Sequence, residues 1–222
     1  ANLIQPIQLD TLHSIHILFE WEQEPNAVNY NLQISIDEFF ESTILDTSIN
    51  KLIYLQEENM DWNNDYYWRV RPILENNIFG EWIELRHFSI SNSKFNDNAI
   101  IDVDYDIYNQ SLIYSGINIF GDWRRQQAVA FDKDGYEIYN SDFGTIDFNE
   151  FGNWYGRNYE SNLYSKFNFN NDILWESPNL SDLDPHDFDQ ASNGNYFYFL
   201  KETQLGPIPL GDWTQQFQAL GY

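Results

Sequence analysis

Two segments in the C-terminal half of the sequence match each other at a fixed distance. Residues 131–135 align with residues 167–171 at an offset of 36, and the match continues without a gap from 138–141 to 174–177. A repeat of this kind constrains the fold strongly, because each copy must form the same supersecondary unit.

A second pair of segments, 147–154 and 187–196, is offset by 40 to 42 residues. Glycine and asparagine recur in both pairs at the positions where turns are expected. A period near 40 residues, with short strands between such turns, predicts successive β-meanders of the kind that build propeller blades.

The composition favours strands and an acidic surface. Aromatic residues make up 18% of the 222 residues, and aromatic side chains favour pleated, half-buried β-surfaces. Lysine and arginine total 11 against 35 aspartates and glutamates, which gives a net charge of -24. Such a surface repels nucleic acids and anionic membranes, so we expect neither as a partner. We interpret the charge as a solubilising surface, with Ca²⁺ binding by acidic loops as the alternative.

The sequence contains no cysteine, which excludes disulfides, thiolate catalysis and cysteine-ligated metals. It has no apolar run of about 18 residues, so we expect no membrane-spanning helix. The chain begins with Ala1 rather than methionine, which suggests a processed or trimmed N-terminus. We expect no metal and no organic cofactor.

Short strand signals follow one another in residues 1–92, the first predicted domain. Residues 29–35 alternate strictly, with Tyr30, Leu32 and Ile34 on one face. Clusters of proline and asparagine separate this strand from its neighbours. About seven short strands in a segment of this length predict a β-sandwich.

Aromatic positions in this domain carry a resemblance to a known family. Residues 19–21, 27–35, 66–70 and 80–82 follow one another with the order and spacing of a fibronectin type III domain, which the whole segment resembles. The resemblance implies that Trp21 is buried in the second strand. It also implies that Tyr66 stands at the tyrosine corner, with its hydroxyl bonded back to the chain. Such domains serve mostly as spacers or weak binding modules, so fold is implied and function is not.

Residues 93–107 read as a linker followed by an edge strand. Asp102, Asp104 and Asp106 alternate onto one face of that strand. We favour a charged, solvated edge, because inserted charge blunts edge pairing. A Ca²⁺ loop is the alternative, but the glycine that such a loop requires does not follow at the right place.

Residues 108–222 form the second predicted domain. Motifs at 121–123, 130–135, 151–153 and 174–178 precede a His-Asp-Phe segment at 186–188 and an Asn-Gly-Asn-Tyr turn at 193–196. In this combination the segment resembles the N-terminal part of the aryl-sulfotransferase family, a β-propeller in its complete form. About 115 residues would hold two blades or so. The predicted fold class is therefore all-β: a fibronectin type III-like β-sandwich plus incomplete propeller-like β-blades.

The resemblance implies an activity and a channel histidine. Family members move a sulfuryl group from a phenolic sulfate ester to another phenol, through a histidine intermediate and without a nucleotide cofactor. His186 would be a channel histidine that contacts the sulfuryl group, while the nucleophile histidine of the family has no counterpart in this sequence. Arg124, Arg125 and Arg157 would supply cationic donors for the developing charge. Surface ion pairs with acidic residues are the alternative for all three arginines.

We therefore predict the N-terminal portion of a secreted or cell-surface bacterial protein of the aryl-sulfotransferase type, inactive as these 222 residues alone. Aryl sulfates and phenols are the expected small-molecule partners. The alternative is an extracellular binding, adhesion or filament protein without catalysis, which would self-associate through exposed strand edges.

Overall fold

The fold is all-β, as the composition and the strand signals predict. The computed structural model describes residues 2–94, 116–122, 126–149, 152–179 and 183–200; within these ranges it describes only the backbone of Asp122, residues 145–146 and residues 183–187. These ranges contain no α-helix, and their helical residues form a short 3-10 turn at Glu75–Asn77. The chain divides into two compact units, Ala1–Glu176 and Ser177–Tyr222.

Nine strands make up the N-terminal sandwich. They are β1 (Leu3–Gln5), β2 (Asp10–Leu12), β3 (Ile17–Trp21), β4 (Asn29–Ser35), β5 (Thr43–Ile49), β6 (Ile53–Gln56), β7 (Asp65–Leu74), β8 (Ile78–Phe79) and β9 (Leu85–Ile90). One sheet has the order β1-β3-β6 and the other the order β2-β9-β7-β4-β5, with β8 beside β7. Three strands packed on four, with β2 added in parallel beside β9, give the fibronectin type III-like arrangement that the sequence predicts.

The core of the sandwich lies where the sequence pattern predicts it. Tyr30, Leu32 and Ile34 are all buried on the inner face of β4. Trp21 is buried as well, with its ring edge-on to Tyr30 at 5.7 Å between centroids. The Tyr66 hydroxyl accepts a hydrogen bond from the backbone N–H of Asp61 at 2.8 Å, so the tyrosine corner is formed.

The 36-residue repeat is present strand for strand. β10 (Asn118–Asp122) corresponds to β14 (Trp154–Asn158), β11 (Gln127–Phe131) to β15 (Leu163–Phe167), and β12 (Glu137–Ser141) to β16 (Ile173–Glu176). A register shift follows Ala130 in one copy and Lys166 in the other, which are equivalent positions. The two copies therefore share their irregularities as well as their strands.

Side-chain caps explain why both copies turn in the same way. The Asp132 carboxylate accepts hydrogen bonds at 2.9 Å from the backbone N–H groups of Asp134 and Tyr136. The Asn168 side chain accepts the equivalent pair, from residues 170 and 172, at 2.9 Å each. The turn then needs a left-handed backbone, which Gly135 supplies with a φ of 86° and Asn171 with a φ of 64°.

The second predicted pair is also a structural repeat. β13 (Phe143–Phe148) and β14 form a hairpin that corresponds to β17 (Leu183–Gln190) and β18 (Tyr196–Leu200). Gly152 and Gly194, with φ of 74° and 86°, occupy the same position in the two turns. The described strands thus form sheets of three (β10–β12), four (β13–β16) and two (β17–β18) strands, and these strands do not close into a propeller.

An aromatic core joins the three-stranded and four-stranded sheets. The Tyr139 and Trp154 rings stack at 4.7 Å between centroids with an interplanar angle of 19°. Phe167 and Phe169 lie against the same tryptophan, and Ala130 is buried beside them. Aromatic stacking of this kind adds to the stabilisation that area burial provides.

Residues 13–15, here called the added strand, extend the three-stranded sheet at its outer edge. The Ile15 N–H donates to the Ile138 carbonyl at 3.0 Å, and the Asn140 N–H donates to the His13 carbonyl at 2.9 Å. Strand addition covers backbone groups that an open edge would expose. Residues 95–107 of the predicted linker lie outside the described residues, and the predicted boundaries at 92 and 108 stay predictions.

Candidate functional site

The predicted channel histidine occupies a defined position in the backbone. His186 lies within β17, four residues before the end of that strand at Gln190. β13 is the first strand of its meander, and β17 is its counterpart in the second repeat. His186 therefore stands in the first strand of a repeat unit, and its role in binding stays a prediction.

Of the three predicted arginines, one has a described environment. Arg157 lies in β14, opposite Gly144 of β13 and Tyr164 of β15. Its half-buried guanidinium donates to the side-chain oxygen of Asn162 in the next turn. Within the described ranges no carboxylate forms an ion pair with it. Arg124 and Arg125 fall outside those ranges, and their predicted roles stay predictions.

A cleft of about 540 Å³ opens where the added strand meets the two sheets. Polar side chains, among them His13, Asp142, Asn158, Glu160 and Asn171, line it together with the apolar Phe143 and Ile173. Among the described residues its lining contains two carboxylates and neither lysine nor arginine, and Lys94 forms an ion pair with Asp142 at its margin. The carboxylates among its described lining residues would repel a sulfate ester.

Burial sets the charge of the histidine in this cleft. Desolvation lowers the pKa of His13 below its ordinary value, and the side chain of Asn140 opposes the shift. Its Nδ1 atom lies 3.3 Å from the Ser91 hydroxyl and 3.4 Å from the Asn140 side-chain oxygen. The ring is therefore held in its neutral form at pH 7.

A buried carboxylate ties the sandwich to the first repeat sheet. Glu137 accepts hydrogen bonds from the Ser93 hydroxyl at 2.6 Å, the Lys94 backbone N–H at 3.0 Å and the Asn140 side chain at 2.7 Å. The indole N–H of Trp62 donates to the Glu137 carbonyl at 3.2 Å. Asn140 lies three residues from Glu137, whereas Ser93, Lys94 and Trp62 come from distant parts of the sequence, and no local pattern identifies them. Such a network fixes one arrangement of its members.

The outer face of β7 carries a second feature that the sequence analysis missed. The Arg69 guanidinium lies between the rings of Phe40 and Trp82, at 3.8 and 4.1 Å from their centroids. Arg71 lies between Trp82 and Phe79, at 4.4 and 4.0 Å. The alternation of residues 69–71, with arginine outside and valine inside, is the signal that identifies this face.

An amide layer supports the two arginines. Gln33 accepts from Arg69 at 2.7 and 2.9 Å, and Asn31 accepts from Arg71 at 2.9 Å. Both amides in turn donate to the Asp46 carboxylate, at 2.7 and 2.8 Å. Desolvation and the neighbouring Arg71 charge lower the pKa of Arg69, although the group stays protonated. The stacking and the hydrogen bonds indicate that this face of β7 stabilises the sandwich.

The described ranges also bear on metal binding and on membrane spans. They contain no cluster of three or more histidine, aspartate or glutamate side chains arranged to hold a metal ion. The acidic run at Asp102, Asp104 and Asp106 falls outside them. No helix in the described residues is long and apolar enough to cross a membrane.

Comparisons with known proteins assign no family to the chain. No family model and no curated protein matches the chain. A solved structure of an Fn3-like protein from Clostridium thermocellum is similar, with 16% identity and a TM-score of 0.32; the match covers 42% of this chain and 93% of that one. The assignment of the sandwich rests on the strand order, buried core and tyrosine corner described above.

Proposed function

We propose that the chain is the N-terminal part of a secreted protein of the aryl-sulfotransferase type, which transfers a sulfuryl group between phenols. One observation carries the proposal: the β17–β18 hairpin repeats the β13–β14 hairpin, so His186 stands in the first strand of a blade-like unit. In a propeller, the first strand of each blade is the one nearest the central channel.

The chemistry requires cationic or hydrogen-bonding groups around the sulfuryl oxygens. The sulfur–oxygen bond to the donor phenol breaks as a sulfur–nitrogen bond to the nucleophile histidine forms, and the phenol departs with a proton. A second phenol then takes the sulfuryl group. His186 would hold the sulfuryl oxygens, and Arg157, Arg124 and Arg125 are the candidates for offsetting the acidic surface. The nucleophile would come from sequence beyond these residues.

The test uses the native polypeptide that carries this chain, assayed for release of 4-nitrophenol from 4-nitrophenyl sulfate in the presence of phenol. His186→Ala should lower kcat/KM by roughly 10²-fold or more, the usual cost of removing one group that stabilises developing charge. His87→Ala, a change on the sandwich, is the matched control and should leave the rate unchanged. An active wild-type protein that is indifferent to His186→Ala would refute the assigned role. A wild-type protein without sulfuryl transfer would refute the activity.

A non-catalytic binding or assembly protein is the second candidate, and a specific surface favours it. Leu18 and Leu55 face each other across β3 and β6 with 41% and 49% of their surface exposed, and Ile53 is 50% exposed beside them. Contiguous apolar surface of this kind marks interaction sites. Sedimentation velocity of the native protein distinguishes the candidates. A concentration-dependent assembly that Leu55→Lys abolishes supports this one, and a monomer at all concentrations argues against it.

A further inference from the structure

The structure shows how one edge of the repeat sheets receives an extra strand. The added strand (residues 13–15) pairs antiparallel with β12, with Ser14 opposite Tyr139. Two backbone groups of β12 receive it, the Ile138 carbonyl and the Asn140 N–H. The Ser14 hydroxyl also donates to the Ile138 carbonyl at 2.9 Å. The edge of β12 is thus closed by main-chain hydrogen bonds and a small polar side chain.

β16 presents the same edge, and among the described strands none lies beside it. At the 36-residue offset, Leu174 corresponds to Ile138 and Glu176 to Asn140, and the pairing with β15 has the same register as the pairing of β12 with β11. The Leu174 carbonyl and the Glu176 N–H therefore point outward, where no described strand pairs with them. Leu174 is 51% exposed, whereas its counterpart Ile138 is 2% exposed.

We propose that the outer edge of β16 accepts an extended, basic segment of a partner protein as a further strand of the four-stranded sheet. The added strand on β12 is the template for the main-chain part of this recognition. It shows that the register and bulge of the repeat leave room for a strand at this edge. Binding by strand addition draws its affinity from main-chain hydrogen bonds and its specificity from side chains.

Charge determines which kind of segment fits. Asp172 precedes β16, and Glu176 ends it. The Glu176 carboxylate is held in place by Asn158, Ser161 and Ser165, which donate to it at 3.0, 2.9 and 3.1 Å. The chain carries a net charge of -24, so a second copy would be repelled while a lysine- or arginine-bearing segment is attracted. The middle residue of the bound segment should be small and polar, as Ser14 is in the added strand on β12.

The probe is a fluorescein-labelled peptide that copies residues 11–17 with two lysines added at each end, titrated with the 222-residue chain. Fluorescence anisotropy should show saturable binding, weakened at least tenfold when glutamates replace the lysines. N-methylation of the peptide nitrogen equivalent to that of Ile15 should abolish binding, because that N–H would donate to the Leu174 carbonyl. No saturation at millimolar concentrations would overturn the proposal, as would equal binding of the N-methylated peptide.

Protein variants locate the site. Leu174→Pro removes an outward-facing N–H and places a ring at the edge without affecting the pairing with β15, so it should weaken binding at least tenfold. Leu174→Ala keeps the N–H and should bind within about threefold of wild type, since main-chain bonds provide the affinity. If Leu174→Pro does not fold, the wild-type Glu176 amide provides the readout, because peptide binding should slow its hydrogen exchange. Unchanged exchange in the presence of saturating peptide contradicts the proposal.

Discussion

The two copies of the 36-residue repeat differ at their outer edges, although their strands, register and turns agree. In the first copy the strand after the turn, β12, is buried, with Ile138 and Tyr139 almost fully covered. In the second copy the equivalent strand, β16, exposes 47% of Ile173 and 51% of Leu174. The difference arises outside the repeat, because the sandwich lays residues 13–15 along the first copy. We therefore expect the two similar strands to differ in stability, because the added strand covers the edge of β12.

The largest loss of stability is expected at Tyr139, which lies opposite Ser14 of the added strand and belongs to the aromatic core. Tyr139→Ala removes a buried ring that stacks on Trp154 and lies 4.4 Å from Phe169. We expect unfolding free energy to fall by about 4 kcal/mol, as for other buried aromatics. The matched change in the second copy, Trp175→Ala, affects a half-buried ring and should cost less than half as much. Urea unfolding followed by circular dichroism measures both, and equal costs would break the comparison.

Glu137 is expected to give the next largest effect. Glu137→Ala leaves the Ser93 hydroxyl, the Lys94 N–H and the Asn140 amide without their common acceptor. Buried donors that lose a charged partner cost about 3 kcal/mol in total. The repeat equivalent is Ile173→Ala, on an exposed side chain, which should cost about 1 kcal/mol or less. Thermal unfolding of the two variants tests this. A Glu137 variant as stable as the Ile173 variant would show that the junction contributes little.

A smaller loss is expected at the centre of the added strand. Ser14→Ala removes the hydroxyl that donates to Ile138 and accepts from the His16 N–H at 3.0 Å. The main-chain bonds of the added strand remain, so the expected cost is about 1 kcal/mol. Ser48→Ala, at an exposed position on β5, is the control and should be neutral. A neutral Ser14→Ala would mean that the main chain alone holds the edge.

The smallest effect concerns pH. The pKa of His13 is depressed in the folded chain, so as pH falls the unfolded chain binds a proton before the folded one. Stability should be complete above the unfolded pKa, near 6.5, and should decline as pH falls from about 7 toward 5. Asp142, Lys94 and Asp10 are the charged neighbours that modulate this shift. His13→Gln should flatten the stability profile in that window relative to wild type, whereas His87→Gln should leave it unchanged.

Local chemistry explains how much of the fold could be predicted from the sequence. The turns after Phe131 and Phe167 are fixed by Asp132 and Asn168, whose side chains cap backbone N–H groups within four residues. The tyrosine corner is likewise local, since the Tyr66 hydroxyl binds Asp61. Such signals lie within a short window of sequence, so the repeats and the sandwich were predictable.

The junction was not predictable, because its members are far apart in the sequence. His13 and Asn140 are separated by 127 residues, and Trp62 and Glu137 by 75. The stack on β7 was missed because its aromatic partners, Phe40 and Trp82, come from different loops. His186 was selected by resemblance to a family, and Arg157 was selected because sulfuryl transfer needs cationic donors. Their strands are now defined, and their proposed chemistry awaits the activity assay.

Native-state hydrogen exchange at Asn140 and Glu176 tests the central claim most directly, because the two amides occupy equivalent positions. The claim is that strand addition from the sandwich closes the edge of β12, whereas no described strand closes the edge of β16. It predicts that the Asn140 amide, bonded to His13, exchanges at least about 100-fold more slowly than the Glu176 amide, after correction for intrinsic rates. Equal protection of the two amides would contradict it.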